Sequence, residues 1–581
     1  MAVRVRVPLA ALLPYSFYFL IFMLMKRNLI LIPSMASLLI LASCSSMGAL
    51  DKSNFTVTPN PLETQGGKVT ASIAGTFPEK YMKKKAVVTV TPELRYGNGQ
   101  VAKGQSATFQ GEKVAGNDQV IQYKTGGTYT MRSQFNYVPD MQKSDMYLTF
   151  NARKGNKTIN IPDVKVADGV IATSELYKRT LMNAGACVAP DSFQRVQAQK
   201  QEANIRFLIN QANLRKKELK NNSVKEFLSM LKKIKADQKG LNLKNVEVNA
   251  YASPDGGFAF NDKLADKRQN TTEKYVNQQL KGNKIKTDVD AHYTAQDWEG
   301  FQQLVQASNI QDKDVILRVL SMYKDPAERE RQIRNMSQGF RELADGILPE
   351  LRRSRLTINY ETVGRSDDEI KQQYKADPSK LSKEELLYAA TLTDNKAEKE
   401  DIYKTAAKLY NNDSRALNNL GALAFNSGND QAARQYFTQG ASAAQAAPED
   451  NANLALLALK QGNVSEAENY VAKANGANDL NEVLGNLNLA KGNYAAAEKY
   501  FGNNATNSAA LAQLLNKNYA GALSTLKSVK NADAMTDYLT ALVNARQGNT
   551  EAASTALAKA LSKDSSLKSY ADNDLELSKL K

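Results

Sequence analysis

The chain has 581 residues, with 76 Lys and Arg against 60 Asp and Glu, and a net charge of +16. This length allows about three or four domains, and the basic surface suits an anionic envelope, a cell-wall polymer or nucleic acid. One histidine, His292, and two cysteines, Cys44 and Cys187, are too few for a metal site or a Cys–His nucleophile pair. We therefore predict no metal and no cofactor.

Residues 1–43 are predicted to contain an export signal. Met25-Lys26-Arg27 is a basic start, an apolar run follows, and Leu41-Ala42-Ser43-Cys44 ends it. This pattern resembles the lipobox of bacterial lipoproteins, in which the cysteine thiol takes a diacylglycerol and becomes the mature amino terminus. The resemblance implies lipidation at Cys44 and a lipidated linker over residues 44–54. The alternatives are an ordinary signal peptide and a transmembrane helix that carries a cysteine.

Residues 1–24 add a second apolar run behind Arg4 and Arg6. We interpret this stretch as lying upstream of the true start at Met25; the alternative is a genuine amino-terminal transmembrane segment. An export signal argues against a nucleic-acid partner. The run Ser45–Leu50 carries no charge, whereas many surface-exported lipoproteins of Bacteroidetes-type bacteria are acidic there. The resemblance thus implies a lipid-anchored protein of the outer membrane that faces the periplasm.

Residues 55–170 are predicted to form an antiparallel β-sandwich. Apolar and polar residues alternate in short runs, as in Lys85–Thr91 and Met146–Ala152, and glycine pairs such as Gly66-Gly67 separate them. The pattern indicates a structural or binding module. Residues 171–198 are interpreted as a linker.

Residues 199–365 are predicted to form an α+β domain. Strands are expected at Ile205–Ile209, Val246–Tyr251, Lys286–His292 and Arg355–Glu361, and helices at Ser223–Ala236 and Asp262–Leu280. His292 is expected to be a strand residue without a chemical role. With Cys44 lipidated, Cys187 has no partner for an intramolecular disulfide.

The middle domain resembles the carboxy-terminal domain of the OmpA family, which binds peptidoglycan. In that family a strand ends in Gly-His-Thr-Asp or Gly-Tyr-Thr-Asp, and a later helix opens with Leu-Ser-x-x-Arg. Here Ala250–Gly256, Asn261 and Leu264–Arg268 stand in those places. The family's Arg and Asp bind the carboxylate and ammonium of diaminopimelate in the wall peptide.

The resemblance implies a peptidoglycan site at Arg268, Ser253 and Asp255. Arg268 matches the family's Arg, while uncharged Ser253 stands at its Asp position and Asp255 follows two residues later. Four alternatives remain open: weakened wall binding, its loss, its redirection to another wall chemistry, and a structural salt bridge of Arg268. The family's late basic pair is kept as Arg352-Arg353, and residues 293–346 are interpreted as an insertion.

Residues 381–581 are predicted to form an all-α solenoid. A Gly-Asn or Lys-Asn pair precedes an alanine by four or five residues, and a large apolar residue follows that alanine by four. The pairs begin at Gly428, Gly462, Gly492, Lys517 and Gly548. This pattern resembles the tetratricopeptide repeat, whose concave face binds peptides or proteins. A purely structural solenoid is the alternative.

The sequence therefore predicts a multidomain, non-enzymatic envelope lipoprotein that acts as a scaffold or tether. It would connect the outer membrane, peptidoglycan and a protein partner of the repeats. The alternative is an interaction component of a secretion or surface-assembly complex with a vestigial wall-binding domain. An enzyme of the wall or its sugars is the third hypothesis, although we find no carboxylate pair or Ser/His/Asp set that supports it.

Overall fold

The computed structural model of the chain describes residues 47–310, 312–335 and 341–580. The predicted signal and the lipidation site Cys44 lie outside the described residues. No helix in the described part of the chain is both long and apolar enough to cross a membrane.

Residues 55–171 form two β-sheets that share one apolar core. The strands are β1 (Phe55–Thr58), β2 (Leu62–Gln65), β3 (Lys68–Phe77), β4 (Ala86–Tyr96), β5 (Gln100–Lys103), β6 (Ala107–Gly111), β7 (Gln119–Ile121), β8 (Gly127–Asn136), β9 (Ser144–Lys154), β10 (Lys157–Ile159), β11 (Val164–Asp168) and β12 (Val170–Ile171). One sheet contains β1, β2, β3, β8 and β12, and the other contains the remaining seven strands. Most pairings are antiparallel, while β2–β12 and β6–β7 are parallel.

Burial alternates along β3 and β8, because successive side chains of a strand point to opposite faces. Ile73 of β3, Val90 of β4 and Leu148 of β9 meet in one cluster, so the two sheets pack face to face. The predicted β-rich amino-terminal region is confirmed.

Residues 173–189, here called the strap, differ from the plain linker expected over residues 171–198. The strap consists of two 3-10 turns, Thr173–Leu176 and Leu181–Asn183, on either side of helix α1 (Tyr177–Thr180). Its apolar side chains explain the difference, since they are buried in the same cluster as the helical repeats.

The middle region is a four-stranded sheet with two long helices packed against it. The elements are β13 (Val196–Arg206), α2 (Asn222–Ala236), β14 (Leu241–Tyr251), α3 (Phe258–Gly282), β15 (Val289–Thr294) and β16 (Arg353–Val363). The strand order is β13-β16-β14-β15, with β14 and β15 parallel and the other pairs antiparallel. Phe227 of α2 and Val276 of α3 pack on Val248 and Ile358 of the sheet.

The first strand of this sheet differs from the prediction. β13 begins at Val196 and ends at Arg206, whereas the sequence pattern indicated Ile205–Ile209. Gln197–Glu202 are mostly exposed polar residues that give no apolar alternation, and their main chain nevertheless pairs with β16.

The predicted insertion is a small helical layer with its own core. Its elements are α4 (Trp298–Ala307), α5 (Lys313–Met322), α6 (Pro326–Arg334), a π-helical turn (Leu343–Ile347) and α7 (Leu348–Leu351). Phe301, Ile316 and Ile333 belong to its buried cluster.

Three further helices follow β16: α8 (Asp367–Ala376), α9 (Lys383–Ala389) and α10 (Lys396–Leu409). We expected the repeat domain to begin at residue 381, but α9 and α10 group with the middle region. Tyr388 stacks on Phe193 at 4.6 Å and donates to Asp367 at 3.0 Å, and Arg365 pairs with Glu385 at 2.9 Å.

The carboxy-terminal region is an array of helix pairs, as predicted. The helices are α11 (Arg415–Asn426), α12 (Asp430–Ala441), α13 (Pro448–Lys460), α14 (Val464–Val471), α15 (Leu480–Ala490), α16 (Tyr494–Phe501), α17 (Asn507–Leu515), α18 (Tyr519–Ser528), α19 (Ala534–Arg546), α20 (Thr550–Lys563) and α21 (Leu567–Asn573). All five predicted Gly-Asn or Lys-Asn sites lie in the turn between the two helices of a pair. There Gly428 has φ +77° and Lys517 has φ +65°, left-handed values that end the first helix.

Small residues let the helices of a pair approach closely. A Cβ on Gly421 would lie 2.5 Å from the ring of Phe437, and one on Gly485 would lie 2.7 Å from the ring of Phe501. Ala433 is fully buried beside this contact. A glycine on the first helix and a phenylalanine on the second therefore pack directly against each other.

The chain divides into two compact units. Unit 1 contains the described residues of Met1–Ala189 and Asn412–Lys581, and unit 2 contains Pro190–Asn411. In unit 1 the β-region contacts the repeats directly, because Gln65 Nε2 donates to the carbonyl of Gly492 at 2.9 Å. The strap does so as well, because Thr173 Oγ1 donates to Glu576 at 2.8 Å. Unit 2 is thus inserted in the sequence of unit 1.

Candidate functional site

The strap lies along the first helices of the repeats. Its anchor is apolar: Leu176, Tyr177 and Leu181 are 1%, 5% and 0% exposed and belong to the repeat core. The hydroxyl of Ser508 on α17 donates to Thr180 at 2.9 Å. The groove formed by these helices is therefore filled by a segment of the same unit.

Three buried asparagines hold the end of the strap. Asn418 and Asn419 lie on α11 and Asn453 lies on α13, and their exposures are 0%, 3% and 0%. We call them the asparagine cluster. They also contact one another, since Asn453 Nδ2 donates to Asn418 Oδ1 at 2.9 Å. This hydrogen bond orients the amide groups that bind the strap.

The asparagine cluster binds main-chain atoms of the strap. Asn453 Oδ1 accepts from the N–H of Cys187 at 2.7 Å, and its Nδ2 donates to the Cys187 carbonyl at 2.8 Å. Asn419 makes the same pair of contacts with Ala189, at 2.9 and 3.1 Å. Asn418 Nδ2 adds a bond of 3.0 Å to the Cys187 carbonyl. A side-chain amide that both accepts and donates in this way binds the main chain of an extended polypeptide, so recognition does not depend on the polypeptide's side chains.

The thiol of Cys187 is free and 1% exposed. Burial, followed by the negative charges of Asp479 and Glu449, raises the pKa of Cys187 to about 12. A thiol with this pKa stays protonated at neutral pH, and the protonated form is a poor nucleophile.

A buried carboxyl lies in the same helix as Asn453. Asp450 is fully buried, and Ser414 Oγ donates to its Oδ2 at 2.6 Å. Burial raises the pKa of Asp450 to about 7, the Ser414 hydrogen bond opposes this, and the charge of Glu449 adds to it. The charge state of this repeat therefore changes near neutral pH.

In unit 2, Arg268 is held by the main chain. It is 1% exposed, and its Nε, Nη1 and Nη2 donate to the carbonyls of Gln211, Tyr251 and Leu208 at 3.0, 2.8 and 3.2 Å. Burial lowers the pKa of Arg268 to about 10, and the charge of Arg352 contributes. These bonds join the loop after β13 to the end of β14.

Ser253 and Asp255 lie after the end of β14 and bind Arg352. Arg352 Nη2 contacts Asp255 Oδ2 at 3.0 Å, its Nε donates to Ser253 Oγ at 3.3 Å, and Ser253 Oγ donates to Asp255. Asn261 holds the turn by donating to the carbonyls of Ser253 and Gly256, both at 2.9 Å. The structure thus places an ion pair of Asp255 with Arg352 here, and the sequence had offered Arg352 only as part of a basic pair.

Two exposed rings follow Asp255 closely in the sequence. Phe258 and Phe260, on the first turn of α3, are 61% and 53% exposed. Sequence reasoning missed them, although two phenylalanines at a helix start directly after Gly256-Gly257 were a visible signal. His292 lies on β15, as predicted, with Nε2 at 2.8 Å from Asp290. In the ranges that the structure describes, no group of three or more His, Cys, Asp or Glu could hold a metal ion.

No protein-family model and no curated protein matches the chain. Among solved structures the chain is similar to a tetratricopeptide repeat protein from Parabacteroides merdae, with 18% identity over 34% of this chain and 85% of that one and a TM-score of 0.26. It is also similar to PilF of Pseudomonas aeruginosa (14% identity, 37% and 98% coverage, TM-score 0.25) and to PilW, a type IV pilus biogenesis factor (16%, 37% and 88%, TM-score 0.21). The carboxy-terminal region itself is an all-helical array of helix pairs, which agrees with the predicted tetratricopeptide-like solenoid.

Proposed function

We propose that this protein is a non-enzymatic scaffold of the bacterial envelope. The observation that supports it is the asparagine cluster, which holds an extended polypeptide by its main chain inside the repeat groove. Such a groove binds protein segments and needs no catalytic residues. This geometry therefore favours a protein segment as the ligand of the repeat array.

The scaffold is proposed to be lipid-anchored through Cys44 in the outer membrane, facing the periplasm. The Leu41–Cys44 pattern supports this part of the proposal. Two acyl chains would give stable anchoring, where one gives only marginal binding.

Growth of cells on a labelled fatty acid tests the anchor. We expect label on the wild-type chain and none on Cys44→Ala. Cys187→Ala is the matched control and should keep the label, because Cys187 is buried in unit 1. Label that persists on Cys44→Ala would remove the anchor and the localisation with it.

A second candidate is contact with peptidoglycan through unit 2. The ion pair of Asp255 with Arg352 offers one charge of each sign at the end of β14, and the exposed Phe258 follows three residues after Asp255 in the chain. A ligand with a carboxylate and an ammonium would exchange with this pair, and Arg suits the carboxylate. In this arrangement Arg268 positions the loop and does not touch the ligand.

A pulldown with insoluble peptidoglycan tests wall contact. We expect retention of the wild-type chain and at least a fivefold loss with Arg352→Gln. Arg318→Gln, on the exposed side of α5, should be retained like wild type. Absence of wild-type retention, or equal retention of both variants, would leave the interaction scaffold without a wall-binding part.

A further inference from the structure

The asparagine cluster requires a polar occupant in the groove. Its three amides are almost fully buried and lie on helices that are packed into the repeat core. A buried polar group that loses its hydrogen-bond partner destabilises the folded chain. An empty groove would therefore be unfavourable, and a departing strap must be replaced by something that offers the same main-chain atoms.

The groove selects its occupant by hydrogen bonds to the main chain and by the size of the side chains. Cys187 and Ala189 face inwards and are 1% and 2% exposed, while Val188 between them is 45% exposed. This alternation is that of an extended strand. The groove thus fits any extended segment with small, uncharged residues at alternate positions.

The two halves of the strap are held unequally. Residues 173–183 bury Leu176, Tyr177 and Leu181, whereas residues 184–189 bury only small side chains. Gly185 is the second residue of the second half, and a Cβ placed on it would meet no atom within 4 Å. The second half can therefore leave the groove while the apolar first half stays docked.

We propose that residues 184–189 are an exchangeable internal ligand of the repeat groove. An extended, small-residue segment of a partner protein takes over their bonds to Asn418, Asn419 and Asn453 and displaces them. The inference rests on the proposed scaffold function and names its regulation: the groove is closed until such a segment competes. The strap competes at the high effective concentration of a tethered ligand, so an outside segment binds the wild-type chain weakly.

The test uses the full chain with Cys44→Ser, so that Cys187 is its single thiol. Ala189→Pro removes the main-chain N–H that donates to Asn419 Oδ1, and it leaves the side chains of the groove unchanged. The probe is a fluorescent peptide with the sequence of residues 183–191 carrying Cys187→Ser. Alkylation of Cys187 reports release of the strap, and fluorescence anisotropy reports binding of the peptide.

We expect Ala189→Pro to speed alkylation at least tenfold and to bind the peptide at least tenfold more tightly than the parent chain. Adding Asn419→Leu should abolish that binding. Unchanged alkylation in both Ala189→Pro and Asn453→Leu would show a permanent strap and overturn the proposal. Fast alkylation without peptide binding, or binding that Asn419→Leu leaves intact, would overturn it as well.

Sedimentation of the Ala189→Pro chain tests the remaining alternative, in which a second copy of the chain occupies the groove. A dimer that forms through the strap would make a second copy the occupant, and the partner segment would be excluded. None of these failures touches the fatty-acid label or a partner crosslinked elsewhere on the protein, so the scaffold function is tested separately.

Discussion

Arg268→Ala should destabilise unit 2 by about 3 kcal/mol or more. The substitution removes a guanidinium that satisfies three carbonyls, and a buried acceptor without a donor costs about 1–3 kcal/mol. Trp298 is the single tryptophan and lies in unit 2. Its fluorescence during urea unfolding therefore measures the free energy of unfolding of this unit.

Lys267→Ala is the matched control, because Lys267 is the exposed neighbour on the same helix. Its transition should match wild type within about 0.5 kcal/mol. Arg268→Lys should recover little of the loss, since a lysine ammonium cannot reproduce the planar fork of donors. An unchanged midpoint for Arg268→Ala would show that the loop after β13 does not depend on this residue, and would return Arg268 to the list of ligand-binding candidates.

Asp450 should make unit 1 less stable as the pH rises from about 4 to about 7. The folded carboxyl has a pKa raised to about 7 by burial, against an ordinary value of 3.8, so in this range the folded chain binds a proton that the unfolded chain has lost. The contribution of Asp450 to the free energy of unfolding is highest below pH 4 and falls until the carboxyl ionises in the folded state. One pKa unit corresponds to about 1.4 kcal/mol, so a pKa rise of about three units makes this loss on the order of 4 kcal/mol.

Urea unfolding at several pH values, followed by helical circular dichroism, measures this dependence. Asp450→Asn keeps an acceptor for Ser414 and cannot ionise, so its stability relative to wild type should rise between pH 4 and pH 8. Glu551→Gln removes an exposed carboxyl on α20 and should run parallel to wild type. Parallel curves for wild type and Asp450→Asn would contradict a raised pKa at this site.

The sequence predicted those features that depend on local pattern. The alternation of β4 and β9, the helical face of α2 and the turns at Gly428 and Gly462 all follow from short-range spacing. β13 was placed late because its first half pairs through the main chain alone, which leaves no apolar signal. The helices α9 and α10 were assigned to the repeats for the opposite reason: their helical pattern was clear, but a packing partner of α9, Phe193, is distant in sequence.

The candidate site was less predictable because its contacts join distant segments. The bond between Cys187 and Asn453 spans 266 residues, and nothing local marks the strap as a ligand. One signal was present: Asn419 and Asn453 each precede the repeat leucine of a first helix, a polar residue on an otherwise buried face. The roles of Ser253 and Asp255 were also hidden, because their partner Arg352 lies about a hundred residues away.

The insertion of unit 2 between Ala189 and Asn412 sets an order of assembly. Residues 190–411 are contiguous, so unit 2 can fold as soon as they have been synthesised. Unit 1 has to wait, because Gln65 meets Gly492 across 427 residues and the strap meets helices made after residue 412. Such contacts of high sequence separation form slowly. Until the repeats have been synthesised, their helices cannot bury the apolar side chains of the strap. A chain that is cut short before the repeats would expose these side chains to proteases and chaperones.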